Sequence, residues 1–217
     1  MLKGIYRCML VLSIRAHDFI YRKMSALGMR YYGLHPKHLF DDFHKFFTDN
    51  IPQGSTVLDI GCSRGELTAD LALKASRVVA YDISSSNIEF AQKRYNRRNI
   101  RYFVGEATRN MPQGEEFDVA VCSNILEHLK DPENFLKKLN NISRRVLVRV
   151  PNLDNNWILG VKKDLKMKYF LDPQHHREYT TGSIKRELDN AGWIIETMEV
   201  SSEIRIAARR GVRPYAK

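Results

Sequence analysis

Cysteine is scarce in this chain. The three residues in 217, Cys8, Cys62 and Cys122, are odd in number and form no C-x-x-C pair. That argues against a disulfide framework and a cysteine zinc site, and the cytosol is the expected compartment. Long apolar runs are missing too. The longest near the start, residues 8–14, is cut by Arg15 and falls far short of a bilayer crossing. It also lacks the long apolar core and small-residue cleavage site of a signal peptide. Acidic residues are outnumbered, 25 against 35 Lys and Arg, giving a net charge of +10. That excess is dispersed and forms no basic arm: residues 1–50 carry +4, 51–150 carry +3 and 151–217 carry +3. Nucleic acid is therefore not the expected partner. The one dense run, residues 93–101, reads first as a solvated helix end whose cations complement the dipole, with contact to phosphate or an acidic glycan as the alternative. Residues 209–214 read as a basic terminus.

Strands and helices alternate along the rest of the chain. Helical segments are expected over 2–28 and 36–49, with a turn at Pro52-Gln53-Gly54. Strand 56–60, helix 65–74, strand 77–81, helix 85–96 and strands 100–104 and 117–122 follow, then helix 132–140. A fifth strand, 145–150, stops at Pro151. Helix 181–191 ends on Gly192, and 193–200 with 203–208 form an antiparallel pair. This pattern predicts an α/β, Rossmann-like doubly wound sheet, mostly parallel with an antiparallel C-terminal strand pair and helices on both faces. Ligands of such sheets sit at the carboxyl ends of the strands.

Residues 57–82, VLDIGCSRGELTADLALKASRVVAYD, carry the most information. An apolar run ends in a turn bearing Gly61 and Gly65, where backbone can approach a ligand without Cβ interference. A second run ends on Asp82, where a nucleotide-binding βαβ unit meets a ribose with a carboxylate. A dinucleotide site needs a glycine two residues after Gly61, and Ser63 stands there, which counts against an NAD-dependent enzyme. Asp59, just before the turn, would repel a pyrophosphate and favour a cation. S-adenosylmethionine (SAM) is cationic at sulfur and carries no phosphate, so it is the expected cofactor, with S-adenosyl-L-homocysteine as product. Cys62 is expected as a small turn residue.

Here the chain resembles the class I SAM-dependent methyltransferases, of the kind that act on small molecules and sugars and in ubiquinone biosynthesis. Four segments carry the resemblance in order: LDIGCSRGEL, VVAYDIS at 78–84, IRYFVGEAT at 100–108 and FDVAVCSNILEHLKDPENFL at 117–136. The resemblance implies cofactor contacts from Asp59, Gly61, Cys62, Gly65, Asp82, Ile83, Glu106, Ala107, Ser123 and Asn124. Residues 51–210 would form the SAM-binding domain, 1–50 a helical extension or lid, and 211–217 a basic tail.

Methyl transfer from a sulfonium is an in-line displacement, so holding the reactants in line is the main task. A hydroxyl or amine nucleophile must also lose a proton. His128, after Glu127, and His175, in DPQHHREYT, are the candidate catalytic bases. Arg177 and Tyr179 are expected beside the substrate, although Thr180 or Thr181 in the same segment could simply cap the next helix. No carboxylate–asparagine set at ligand spacing accompanies the histidines, so no metal is expected. The Asn/Asp-Pro-Pro-Tyr/Phe that stacks a flipped base is also missing after strand four. A small-molecule acceptor, or a sugar of a glycan or its lipid-linked precursor, is favoured, with O-methylation first. The alternatives are an RNA or protein methyltransferase and a catalytically inactive SAM-binding partner subunit. Residues 2–30 place Leu2, Ile5, Met9, Leu12 and Phe19 roughly on one helical face flanked by Arg7, Arg15, Arg22 and Lys23. Such a helix could pack on its own protein or rest peripherally on an anionic membrane.

Overall fold

A computed structural model of the protein describes residues 2–33, 36–106, 109, 112, 114–155, 157–170, 172 and 174–211, with 37 and 38 by backbone alone. Ala107 and most of the expected basic tail, 212–217, lie outside the described residues. The chain divides into two compact units, residues 1–45 with 157–169, and 46–156 with 170–217.

The larger unit is built on a seven-stranded sheet. Its strands are β1 (Thr56–Ile60), β2 (Arg77–Asp82), β3 (Ile100–Val104), β4 (Phe117–Ser123), β5 (Ser143–Pro151), β6 (Trp193–Val200) and β7 (Glu203–Arg210), in the order β3-β2-β1-β4-β5-β7-β6. The first five run parallel, and β7 joins β5 and β6 antiparallel, as the alternation of the sequence predicts. The near-continuous apolar runs of β1, β4 and β5 follow from burial on both faces. Adjacent residues divide between the faces. Val79 joins the core that holds Phe135, Leu136, Ile184 and Leu188, whereas Ala80 packs with Ile88 and Cys62.

Four helices of this unit bear on the site: α4 (Glu66–Leu71), α5 (Ser85–Arg94), α6 (Pro132–Ile142) and α8 (Thr181–Asn190). Each has a readable start. Gly65 opens α4 at φ 85°, and the Ser84 hydroxyl accepts from Asn87 N–H at the start of α5. Asp131 caps α6 ahead of Pro132, and Thr180 with Ser183 forms a capping box on α8. Strand order reverses between β1 and β4, whose neighbours lead away in opposite directions. The loops after these two strands therefore open a crevice at their carboxyl ends.

The smaller unit holds the helices α1 (Leu2–Tyr32), α2 (Lys37–Phe40) and α7 (Trp157–Asp164). Between the units in sequence, α3 (Phe43–Asn50) follows α2 after a break at Asp41 and Asp42, so the helix expected over 36–49 is two pieces. Aspartates compete locally for backbone hydrogen bonds and favour such breaks. The α7 helix lies in a stretch where no helix is expected from the sequence. It buries Leu159, and Lys162 pairs with Asp18 of α1 at 2.7 Å. Most of the remaining α1 surface is exposed, with Ile14 its one buried residue. Among the described residues no helix is long and apolar enough to cross a membrane.

Candidate active site

A cavity of about 790 Å³ opens at the switch point, wholly within the larger unit. Gly61, Asp82, Ile83, Glu106, Asn124, His128 and His175 line it, joined by Ser63, Tyr81, Gly105, Ile125, Leu129, Gln174 and His176. Seven of the twelve residues expected as cofactor contacts or catalytic bases thus share one space. Its volume lies in the ordinary range for a small-molecule or cofactor pocket.

At one end, Gly61 and Cys62 both donate their backbone N–H to the Tyr81 carbonyl, which ties the turn after β1 to the end of β2. Gly61 has φ +73°, and a Cβ there would meet Ile125 Cδ1 at 2.4 Å. No other residue type suits that position without displacing the loop after β4. The Asp82 carboxylate accepts from Ser63 N–H at 2.8 Å through Oδ2, and from Ser84 N–H and the Asn87 amide through Oδ1. Three of its roughly four acceptor positions are used, so it is rigidly oriented with one left on Oδ2. Ile83 beside it is 75% exposed, an apolar face next to a fixed acceptor.

Five expected residues do not line the cavity or are not described. Asp59 is buried and accepts from Thr68 Oγ1 at 2.6 Å, bracing α4. The Cys62 thiol packs with Ala80 and Ile88, and burial, with Asp59 and Asp82 nearby, pushes its pKa far up, so it is no nucleophile. Gly65 opens α4, where a Cβ would lie 2.9 Å from that of Ala91. Ser123 Oγ accepts from Arg149 Nη1 at 3.3 Å. Ala107 is outside the described residues.

The opposite end is made by the loop after β4 and the segment preceding α8. Asn124 holds φ 53°, a left-handed conformation that non-glycine residues adopt at a cost, and its Oδ1 is buried without a hydrogen-bond partner. A short 3₁₀ turn, Leu126–His128, then presents His128. Its ring meets that of His175 edge to face, with centroids 4.6 Å apart. His175 is 8% exposed, and its Nδ1 lies 2.7 Å from Glu178 Oε1. With that carboxylate as acceptor, Nδ1 carries the proton and Nε2 is left as the basic nitrogen. Burial draws the His175 pKa down, but Glu178, aided by Glu127 and Asp172, outweighs it and holds the pKa above its usual value. His128 moves the other way, lowered by burial and by the charge of His175.

Glu127 is the residue whose importance sequence reasoning missed. Its side chain is fully buried and both carboxylate oxygens lack a hydrogen-bond partner, while its carbonyl accepts from His176 N–H. Burial pushes its pKa up to about 7. The Glu178 partner of His175 was also missed, although the His-x-x-Glu spacing was there to find. Arg177 and Tyr179, expected beside substrate, do not line the cavity. Both bind Glu187 of α8, Arg177 at 2.9 Å and the Tyr179 hydroxyl at 2.5 Å, so they anchor the segment that delivers His175. The capping role of Thr180 is realised in the same segment.

A sheet of this order, with a glycine turn after β1 and an acid ending β2, is the Rossmann-like arrangement of nucleotide-cofactor-binding domains. The chain belongs to the methyltransferase domain family, whose model matches residues 32–197. It is 31% identical over 106 residues to a ubiquinone biosynthesis O-methyltransferase of Coxiella burnetii, across 47% of this chain and 45% of that protein. The chain thus spans less than half the length of that relative. Its fold is similar to the TehB-like SAM-dependent methyltransferase of Corynebacterium glutamicum, with a TM-score of 0.61 and 15% identity over 90% of this chain and 99% of that one. It is also similar to magnesium protoporphyrin IX methyltransferase of Synechocystis, solved with bound S-adenosylhomocysteine, with a TM-score of 0.61 and 19% identity over 81% and 83% of the two chains.

Proposed function

We propose that this chain binds SAM at the Asp82 end of the cavity and transfers its methyl group to a small-molecule or glycan hydroxyl held at the histidine end. The carrying observation is that one cavity contains both a rigidly held acceptor for a ribose, Asp82, and two imidazoles, His128 and His175. The family, and the O-methyltransferase name of the Coxiella relative, support the same reading.

Asp82 would take hydrogen bonds from the ribose and Ile83 would offer an apolar face to the base, with Glu106 of the same cavity towards its edge. Gly61 and Asn124 flank the methionine portion. SAM held there would supply an electrophilic methyl group, which an acceptor oxygen would take while sulfur kept the electron pair as a neutral thioether. The hydroxyl proton passes to an imidazole nitrogen. His175 suits this task because Glu178 fixes its tautomer and steadies the imidazolium that forms. Orientation of the three reacting atoms in line can account for roughly 7–11 kcal/mol of the barrier.

Calorimetric titration tests the cofactor end. SAM should bind with one equivalent per chain, and Asp82→Ala should weaken it by at least about tenfold through loss of a charge-assisted hydrogen bond. Failure of the wild-type protein to bind SAM would overturn the reading. Binding without turnover on a panel of catechols, phenols and sugars would favour a catalytically inactive partner subunit.

The surface of α1 bears on where the acceptor comes from. Leu2, Ile5, Met9, Leu12, Phe19 and Leu27 are all more than half exposed, alongside Lys3, Arg7, Arg15, Arg22, Lys23 and Arg30. That combination supports peripheral contact with an anionic bilayer and a lipid-linked acceptor. Vesicles of phosphatidylglycerol should carry the protein upward on flotation and phosphatidylcholine vesicles should not. Equal recovery from both would count against the contact.

A further inference from the structure

We infer that residues 92–103 form a second ligand site, for a diphosphate or triphosphate group, at the amino end of β3 and apart from the active-site cavity. A recess of about 450 Å³ lies there, lined by Arg97, Arg101, Gln92, Asn96 and the rings of Tyr95 and Phe103. No carboxylate lines it among the described residues, and it shares no lining residue with the larger cavity. The length of β3, about 13 Å at 3.3 Å per residue, stands between the two.

A solvated helix end accounts for only part of this basic run. Helix α5 ends at Arg94, so Lys93 and Arg94 alone stand in its last turn, and the helix dipole acts little beyond that turn. Arg97, Arg98 and Arg101 come after it. Arg101, on an edge strand, also discourages pairing with another sheet, but edge protection asks nothing of Arg97 or Arg98. Among the described residues, the side chains of Lys93, Arg97, Arg98 and Arg101 have no hydrogen-bond or ion-pair partner. Cations gathered this closely repel one another, and an anion between them relieves the repulsion.

The groups that would grip the ligand are held from behind. The Asn99 amide donates to the carbonyls of Ala72 and Ala75, at 2.8 and 3.0 Å, and pins the turn that presents Arg97 and Arg98. Within that turn, Arg97 N–H donates to the Tyr95 carbonyl, and the Arg97 carbonyl accepts from Ile100 N–H. Phe103 stacks on Tyr81 with ring centroids 5.2 Å apart, and Tyr95 packs close to Gly65. The chemistry of the lining selects linked phosphates. Two guanidinium forks match their several oxygens, and the amides of Gln92 and Asn96 add neutral donors. The Phe103 ring, 42% exposed, leaves an aromatic surface beside them for a base or sugar.

The test is calorimetric titration of the full chain with pyrophosphate, tripolyphosphate and ADP, each with and without excess S-adenosylhomocysteine. Tripolyphosphate should bind with one equivalent per chain, in roughly the micromolar range. Arg97→Ser combined with Arg101→Ser should weaken it at least about tenfold. Both arginines are exposed and unpartnered, so their replacement breaks no internal bond, and thermal unfolding should match wild type. Lys185→Ser combined with Arg186→Ser removes the same charge from α8, which packs on β6 at the far edge of the sheet, and should leave binding unchanged. ADP binding tighter than pyrophosphate would assign the site to nucleotides, with Phe103 against the base. Equal affinities would assign it to the phosphates alone, and either result supports it. Absence of binding, an equal loss in the two serine pairs, or displacement of the probe by S-adenosylhomocysteine overturns it. The site does not rest on the methyl-transfer reading: failure of SAM to bind would sink that reading and leave this one standing.

Discussion

Exchange of Glu203 for alanine should lower the unfolding free energy by about 3–5 kcal/mol, more than any surface substitution in this chain. Arg149 and Glu203 are each 3% exposed, and the guanidinium grips the carboxylate through Nε and Nη2, both at 2.5 Å. The pair lies on neighbouring strands, β5 and β7, offset by two residues. Removing the acid strips a buried cation of a bidentate partner, and that cost decides the sign. The converse follows from the same physics. Because two desolvated charges contribute little net stability, Arg149→Met combined with Glu203→Leu should recover most of the loss. Urea unfolding of the two single variants and the double variant measures the coupling, and additive losses would contradict it. The pair also reaches the site, since Arg149 donates to Ser123 Oγ and its carbonyl accepts from Asn124 N–H. Weaker SAM binding should therefore accompany the loss of stability in Glu203→Ala.

A gain is expected at Glu127. Above pH 7, Glu127→Gln should be more stable than wild type by about 3 kcal/mol, with the difference closing below about pH 5. The sign follows from proton binding. Burial holds the folded carboxyl near pH 7, against 4.5 for the free group, so between these values the folded state keeps a proton that the unfolded state has lost. Stability from this group is complete at low pH and is lost as pH rises through 7. His175, held above its usual pKa by Glu178, acts in the same direction. His128, held below it by burial, acts oppositely and loses stability as pH falls. Comparing the two proteins by thermal and urea unfolding at pH 5, 7 and 8.5 measures Glu127 together with the share of the His175 shift that it supplies. A constant difference across this range would show that the carboxylate is not titrating in a buried state.

Local signals made much of the fold legible. The apolar runs at 57–60, 78–81 and 146–150 are buried strands, and Thr180, Asp131 and Gly65 mark helix starts that the structure contains. The meeting of Gly61 and Asp82 in one cavity was legible for the same reason: they belong to one βαβ unit, and their spacing along the chain brings them together in space. The histidine end was only half legible. Its chemistry depends on whether side chains are buried and on what they meet, and those are facts of packing. Arg177 and Tyr179 looked like substrate groups because of their types, yet Glu187, eight to ten residues on, takes both. Glu127 looked like the less interesting half of Glu-His because nothing in the sequence shows that its carboxylate lacks a partner. The α7 helix was missed because it starts abruptly after a polar Asn-Asn stretch and is short.

The reversal of strand order between β1 and β4 also divides the cavity's inheritance. One wall comes from residues 61–106 on one side of the switch point, and the other from 124–129 and 174–176 on the opposite side. The two walls meet where Gly61 packs against Ile125, so a substitution at that seam reshapes both. Away from that seam, exchanges at 128–129 or 174–176 change one wall and leave the other as it stands.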